Sequence, residues 1–262
     1  MAVLSRLLPV VATTYGLQAL CGLVFVPLQT ERFYDFCGSL GFLSAAGVSL
    51  YGDALKAKFV DRIEGVTLPA LTTDNFAPRQ LIMTGALVVW ATRLGVFLLH
   101  RSLRHGGDSR FDKIKTNPVR FAFTWFMQAN WIMIVGMPVY LINVLPKAQH
   151  STLTVTDHAG IALAAASFLV EVVADTQKSR WRAAKLAGKH SEKFISHGLW
   201  RLSRHPNYVG EVGIWIGIAV AALHTVRNAY PGSATFGVLG SPLFIYALLR
   251  FVSSQSLFYH RR

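Results

Sequence analysis

Between Gly198 and Glu211 the chain reads Gly-Leu-Trp-Arg-Leu-Ser-Arg-His-Pro-Asn-Tyr-Val-Gly-Glu. This stretch sets Arg201, Arg204, His205, Asn207, Tyr208 and Glu211 against the start of an apolar run, Val212 to Leu223. Polar groups at the mouth of a membrane helix are costly unless they pair or bind something. Pro206 suits the first turn of a helix, where no amide donor is needed. A basic loop therefore ends at Arg204 and His205, and a helix opens at about Pro206. Its amide donors and positive dipole end face back toward that loop, an arrangement suited to an anionic group such as a phosphate.

A second set of polar residues precedes it. Glu171, Asp175, Lys178, Arg182, Lys185 and Lys189 recur at helical spacing and form one stripe. Ordinary ion pairs one turn apart would account for it. A cofactor wall would too, with acids for hydroxyls or a ring amide and bases for phosphates. Arg93 lies about mid-span in an apolar segment, which makes it a functional candidate or a bridge to Asp35 or Glu171. Asp35 stands near the start of another span and reads as a helix cap or a cavity residue. Gln128 and Asn130 face either a lipid cavity or a neighbouring helix. His190, His197 and His224 show no metal-ligand spacing, and no metal site is expected.

The elements that hold these residues are membrane helices. Of 262 residues, 52% are hydrophobic and only 15% charged, well short of the quarter or so typical of soluble domains. Mean hydropathy is +0.39. Seven apolar spans stand out, at about 8–28, 33–51, 79–100, 119–145, 157–174, 207–224 and 235–258. Each is judged against the roughly 20 residues that cross a bilayer. The fifth and sixth are short. The expected fold is all-α, a single polytopic bundle of about seven transmembrane helices over residues 1–262. Cys21 and Cys37 both sit in apolar segments and read as core residues. No strand pattern, soluble-type nucleotide loop or nucleic-acid fold is evident, so nucleic acid is not an expected partner.

The net charge of +13 is uneven. Arg101, Arg104, Arg110, Lys113, Lys115 and Arg120 fill one connection, and Lys178 through Arg204 fill another. Residues 146–156 hold only Lys147. With seven spans, both basic connections share a side, which the positive-inside rule makes cytoplasmic, with the N-terminus opposite. Attraction to anionic lipids would also draw such loops to the membrane.

At this point the residues resemble a family. Phe33 to Leu40 is similar to an early Tyr-Asp-x-x-Gly segment. Trp90-Ala-Thr-Arg-Leu-Gly95, Gly107-Asp-Ser-Arg-Phe-Asp112, Phe126 to Ala129, Glu171 to Lys178 and Ser203 to Glu211 follow in order. Together they resemble the membrane proteins with a steroid 5-alpha-reductase-like C-terminal domain, in particular the DUF1295 branch. The reductase-like part runs over about 79–258. The resemblance implies NADP(H) held at the cytoplasmic side and hydride delivered to a carbon–carbon double bond of a lipid or steroid-like substrate. Carried onto this chain, it implies Asp175, Arg182, Lys193, Asn207 and Glu211 at the cofactor, while Lys178 in the stripe and Arg204 and His205 at the helix opening are assigned to it from their charge and position. Tyr208 and Glu211 would be the catalytic candidates, and Asp35, Arg93 and Gln128 would line the substrate cavity. The family's Ser-Gly-Ile-Pro-Leu-Leu-Glu segment is replaced by Val252-Ser-Ser-Gln-Ser-Leu-Phe-Tyr-His-Arg-Arg262. A non-catalytic membrane subunit or lipid-binding protein is therefore an alternative, and a membrane methyltransferase using S-adenosylmethionine is another. Membrane lipid, a hydrophobic small molecule and a membrane complex are the expected partners. The expected site is an internal membrane such as the endoplasmic reticulum in a eukaryote, or the inner membrane in a bacterium.

Overall fold

The computed structural model describes residues 3–105 and 111–253. The described chain is helical, with no strand. It comprises α1 (Val3–Phe25), α2 (Tyr34–Leu55), α3 (Pro78–His105), α4 (Pro118–Asn143), α5 (Val155–Leu186), the one-turn α6 (Leu199–Leu202), α7 (Pro206–Ala229) and α8 (Ser233–Ala247). Short π-helical turns extend α2 over Lys56–Val60 and α8 over Leu248–Ser253. All seven expected spans fall on long helices, and six of those are long and apolar enough to cross a membrane. The protein is an all-helical, multi-pass membrane protein. The rest of the last expected span, beyond 253, lies outside the described residues.

The exception among the seven is α2, whose 22 residues are long enough but not apolar enough. Its composition follows from its place. The contacts divide the chain into two compact units, the first built from residues up to 153 together with 225–238. Within that unit α2 packs against α1, α3 and α4. A helix wrapped by protein needs small residues for close approach more than it needs apolar bulk. A Cβ on Gly41 would come within 2.8 Å of the Gln18 amide, and one on Gly95 of α3 within 2.6 Å of Ser39 Oγ. Between these contacts Trp90, Phe42 and Trp131 pack edge to face, with centroids 5.0 and 4.8 Å apart about Phe42.

Hydrogen bonds fix the register of the first unit. Gln18 Nε2 donates to Cys37 O at 3.0 Å, and Tyr34 Oη donates to Thr124 O at 2.7 Å. At the other end, Gln80 Nε2 donates to Asn143 O at 2.9 Å and Leu145 O at 3.1 Å, meeting carbonyls that α4 leaves open at its C-terminus. Buried Arg79 donates to Ser151 O and Thr152 O, both at 3.3 Å.

The second unit comprises residues 154–224 and those from 239. Helix α5 opens with a capping box, Thr154 Oγ1 accepting from Asp157 N while Asp157 returns to Thr154 N. The short fifth span of the sequence is a helix of 32 residues. Its apolar run ends at Ala174, but the polar stripe keeps helical spacing, so the helix continues to Leu186. At 1.5 Å per residue α5 is about 48 Å long, against roughly 30 Å of hydrocarbon. Its last turns therefore project beyond the apolar layer. The helix stops at Gly188, where φ is +71°, a left-handed position that glycine occupies without Cβ strain. Lys189, the last of the stripe, lies past that end.

A seam of small residues joins α5 to α7. A Cβ on Gly217 would lie 2.5 Å from Gly160 O and from Ala164 N, and one on Gly210 2.8 Å from Ser167 O and Glu171 N. The helices run antiparallel, with Gly160 facing Gly217 and Ala221, and Glu171 facing Gly210. One turn beyond Gly210, the opening of α7 at Pro206 lies level with Ala174 and Asp175.

Candidate functional site

The stripe on α5 and the opening of α7 meet in the second unit. Three elements build this place. The first is the turn of α5 from Ala174 to Lys178. Next comes α6, carried on Gly198 (φ +60°), whose Cα rests against the Gln177 amide. Gln177 Oε1 accepts from Leu199 N at 3.0 Å, and Trp200 Nε1 donates to Ala174 O at 3.0 Å. Ala174, Ile195 and Trp200 form a small core beneath. The third element is the first turn of α7.

These anchors gather the charged groups. Lys178 Nζ lies 4.6 Å from the centroid of the Trp200 ring. The His205 imidazole stacks on Tyr208, with centroids 4.9 Å apart and planes 15° from parallel. Burial holds the His205 pKa below the ordinary imidazole value, and the charges of Lys178 and Arg204 lower it further. His205 is therefore neutral at pH 7, with Lys178 and Arg204 near enough to be felt. Asn207 sits on the first turn of α7 with its Oδ1 buried and without a hydrogen-bond partner. A turn further, Glu211 Oε1 accepts from Trp215 Nε1 at 3.1 Å, which fixes the carboxylate. Asp175 is half-buried on α5, while Arg182 and Lys193 are exposed, on the end of α5 and on the following loop. The assembly thus offers cations, a helix N-terminus and one unsatisfied amide acceptor, the parts that bind a phosphorylated ligand with a polar head.

The family model for "Protein of unknown function (DUF1295)" matches residues 53–260. The chain belongs to the DUF1295 family. No curated protein and no solved structure matches it. Several of the DUF1295-like blocks have structural work in the fold. Trp90 and Gly95 serve the packing of α2 against α3, and Gln177 and Gly210 the joining of α5, α6 and α7. Of the block at 107–112, residues 107–110 lie outside the described residues, as does the segment beyond 253.

The three cavity candidates belong to the first unit. Asp35 stands in the first turn of α2 and pairs with Arg101 at 4.0 Å, both half-exposed. Gln128, 3% exposed, donates from Nε2 to Tyr34 O at 2.9 Å, tying α4 to the start of α2. Arg93 is half-buried midway along α3. Asn130 accepts from Tyr15 Oη at 3.0 Å, a bond between helices.

Sequence reasoning missed Trp200, Trp181 and the glycine seam. Trp181 Nε1 donates to Glu192 Oε2 at 3.1 Å, and its carbonyl lies 3.0 Å from His190 Nε2, so the loop after α5 folds back on the helix. A signal existed for the seam: Gly160 and Ala164, and Gly213, Gly217 and Ala221, recur every four residues.

Proposed function

We propose that this DUF1295 protein is an NADPH-dependent membrane reductase acting on a carbon–carbon double bond of a lipid or steroid-like substrate. The carrying observation is the buried, unpartnered Asn207 Oδ1, one turn before Glu211 and beside Lys178, Arg204 and His205. A buried amide oxygen without a donor is costly, and a ligand amide or hydroxyl would satisfy it. The residues present fit the cofactor. Arg204 and Lys178, with the first turn of α7, would meet phosphate. Asn207 would accept from the carboxamide or a ribose hydroxyl, and Glu211, oriented by Trp215, would hold the same end. Asp175 would meet a hydroxyl, and Arg182 and Lys193 an extra phosphate at the rim. NADPH, when bound, supplies the hydride. Tyr208, backed by the His205 ring, is the proton donor in this reading. Asp35, Arg93 and Gln128 would shape a lipid cavity. The reading places the protein in the endoplasmic reticulum or another internal membrane of a eukaryote, or in a bacterial inner membrane.

Equilibrium binding of NADPH and NADH to the purified protein tests the reading. Saturable NADPH binding, weakened by Asn207→Ala and by Arg204→Ala, is the expected result. Arg182→Ala should weaken NADPH more than NADH. Absence of saturable binding of either nucleotide below millimolar concentration overturns the assignment. A co-purified adenosyl ligand would point to methyl transfer, and no ligand to a non-catalytic subunit.

A further inference from the structure

Two large apolar side chains flank the opening of α7 on the outside of the second unit. Phe194 is 73% exposed and Leu202 is 82% exposed. Neither belongs to a floppy segment. Ile195, next to Phe194, packs with Ala174 and Trp200, and Trp200, two residues before Leu202, is bonded to the Ala174 carbonyl. Both side chains are thereby held near the level of Ala174, where the apolar run of α5 ends. Three exposed cations accompany them, Lys193, Arg201 and Arg204. No acidic residue occurs between Lys193 and Gly210. The nearest earlier acid, Glu192, has its Oε2 engaged by Trp181.

We infer that Phe194 and Leu202, with Lys193, Arg201 and Arg204, form an anchor that inserts into the headgroup layer of an anionic phospholipid membrane. In water, two such side chains would leave large apolar areas hydrated. At the boundary of the hydrocarbon they are buried among acyl chains while the cations meet lipid phosphates. The positive charge selects anionic over zwitterionic lipid. The anchor shares Lys193 and Arg204 with the cofactor reading, but Phe194, Leu202 and Arg201 take no part in that reading, and the insertion rests on them.

The test uses full-length, nucleotide-free protein in nanodiscs of phosphatidylcholine, with or without phosphatidylglycerol replacing part of it. Hydrogen exchange over residues 187–204 should slow several-fold in the anionic discs. Phe194→Ser with Leu202→Ser should abolish that difference at an unchanged melting temperature. A benzophenone side chain introduced at Phe194 should crosslink to lipid and enrich phosphatidylglycerol over its share of the disc. Equal exchange in both discs, slowing that requires added NADPH, or crosslinking to protein in place of lipid would each overturn the anchor.

Discussion

Adding a single methyl group at Gly217 tests the seam that aligns α5 with α7. A Cβ there would sit 2.5 Å from Gly160 O and Ala164 N, and 2.9 Å from Ala164 Cα. All three are backbone atoms, so no rotamer change relieves the clash. Restoring ordinary contact near 3.4 Å needs the helices to part by about 0.9 Å at this level, the difference between 3.4 and 2.5. Overpacking of this kind costs about 1–3 kcal/mol. Replacing glycine by alanine inside a helix returns up to about 1 kcal/mol. With the full return, the net expectation for Gly217→Ala is a loss of up to about 2 kcal/mol, or up to roughly 8 °C in Tm at about 2–4 °C per kcal/mol. Gly47→Ala makes the same chemical change on α2, where an added Cβ would have nothing within 4 Å. It should raise Tm by a few degrees or leave it unchanged. Thermal unfolding of both variants in one detergent measures the contrast. If Gly217→Ala melts at or above wild type, the close packing of α5 on α7 is refuted.

Three further outcomes are expected. Glu31, its side chain 5% exposed, receives Lys115 Nζ at 3.1 Å, and Lys115 also meets Asp112 at 3.0 Å. Hydrogen bonds donated to Asp112 and then to Glu31 raise the Lys115 pKa, so the stability its charge contributes is present at neutral pH and is lost as pH rises through that raised value. Because Lys115 keeps Asp112 and is partly exposed, Glu31→Gln should cost about 1–2 kcal/mol by thermal unfolding, less than an isolated buried pair. The lowered pKa of His205 means the unfolded chain binds a proton that the fold refuses. Stability should fall as pH drops from about 6.5 toward that lower value. His205→Gln should flatten that part of the profile, measured by denaturation at a series of pH values. Finally, Lys113 and Lys147 flank the 26-residue helix α4. Cysteines placed there in a Cys21→Ser, Cys37→Ser background should label from opposite sides of sealed vesicles, and labelling from one side would refute a spanning α4.

The helices were legible because an apolar run of about 20 residues has few other uses. The opening of α7 was legible too, since Pro206 behind a basic loop leaves little choice. Other features depended on partners that a linear reading does not supply. The apolar run of α5 ends at Ala174, yet the helix goes on for another 12 residues, 175–186, because helical spacing outlasts hydrophobicity. Gly47 and Gly217 look alike in sequence, but one faces open space and the other a backbone. The sequence offers Arg93 as a bridge to Asp35 or Glu171; it does not single out Arg101, two turns beyond Arg93 on α3, which the structure pairs with Asp35. The type and position of Gln128 fit a cavity or a helix–helix bond equally in sequence, and the bond to Tyr34 O supports the helix–helix one. Asn207 carried the clearest promise as part of a motif, but its unsatisfied oxygen is visible only once burial is known.

The weak hydropathy of α2 bears on how the protein is made. A segment so rich in Gly, Ser and Ala gains little by entering lipid alone, and its polar backbone and side-chain contacts are completed by neighbours. One of them, Gln128, lies 94 residues downstream of the Tyr34 carbonyl it caps. At translation speeds of about 5–20 residues per second, that partner is synthesised roughly 5–20 s after Tyr34. During that interval α1 and α3 must shelter α2, so the first unit matures as a cohort in the membrane and not helix by helix.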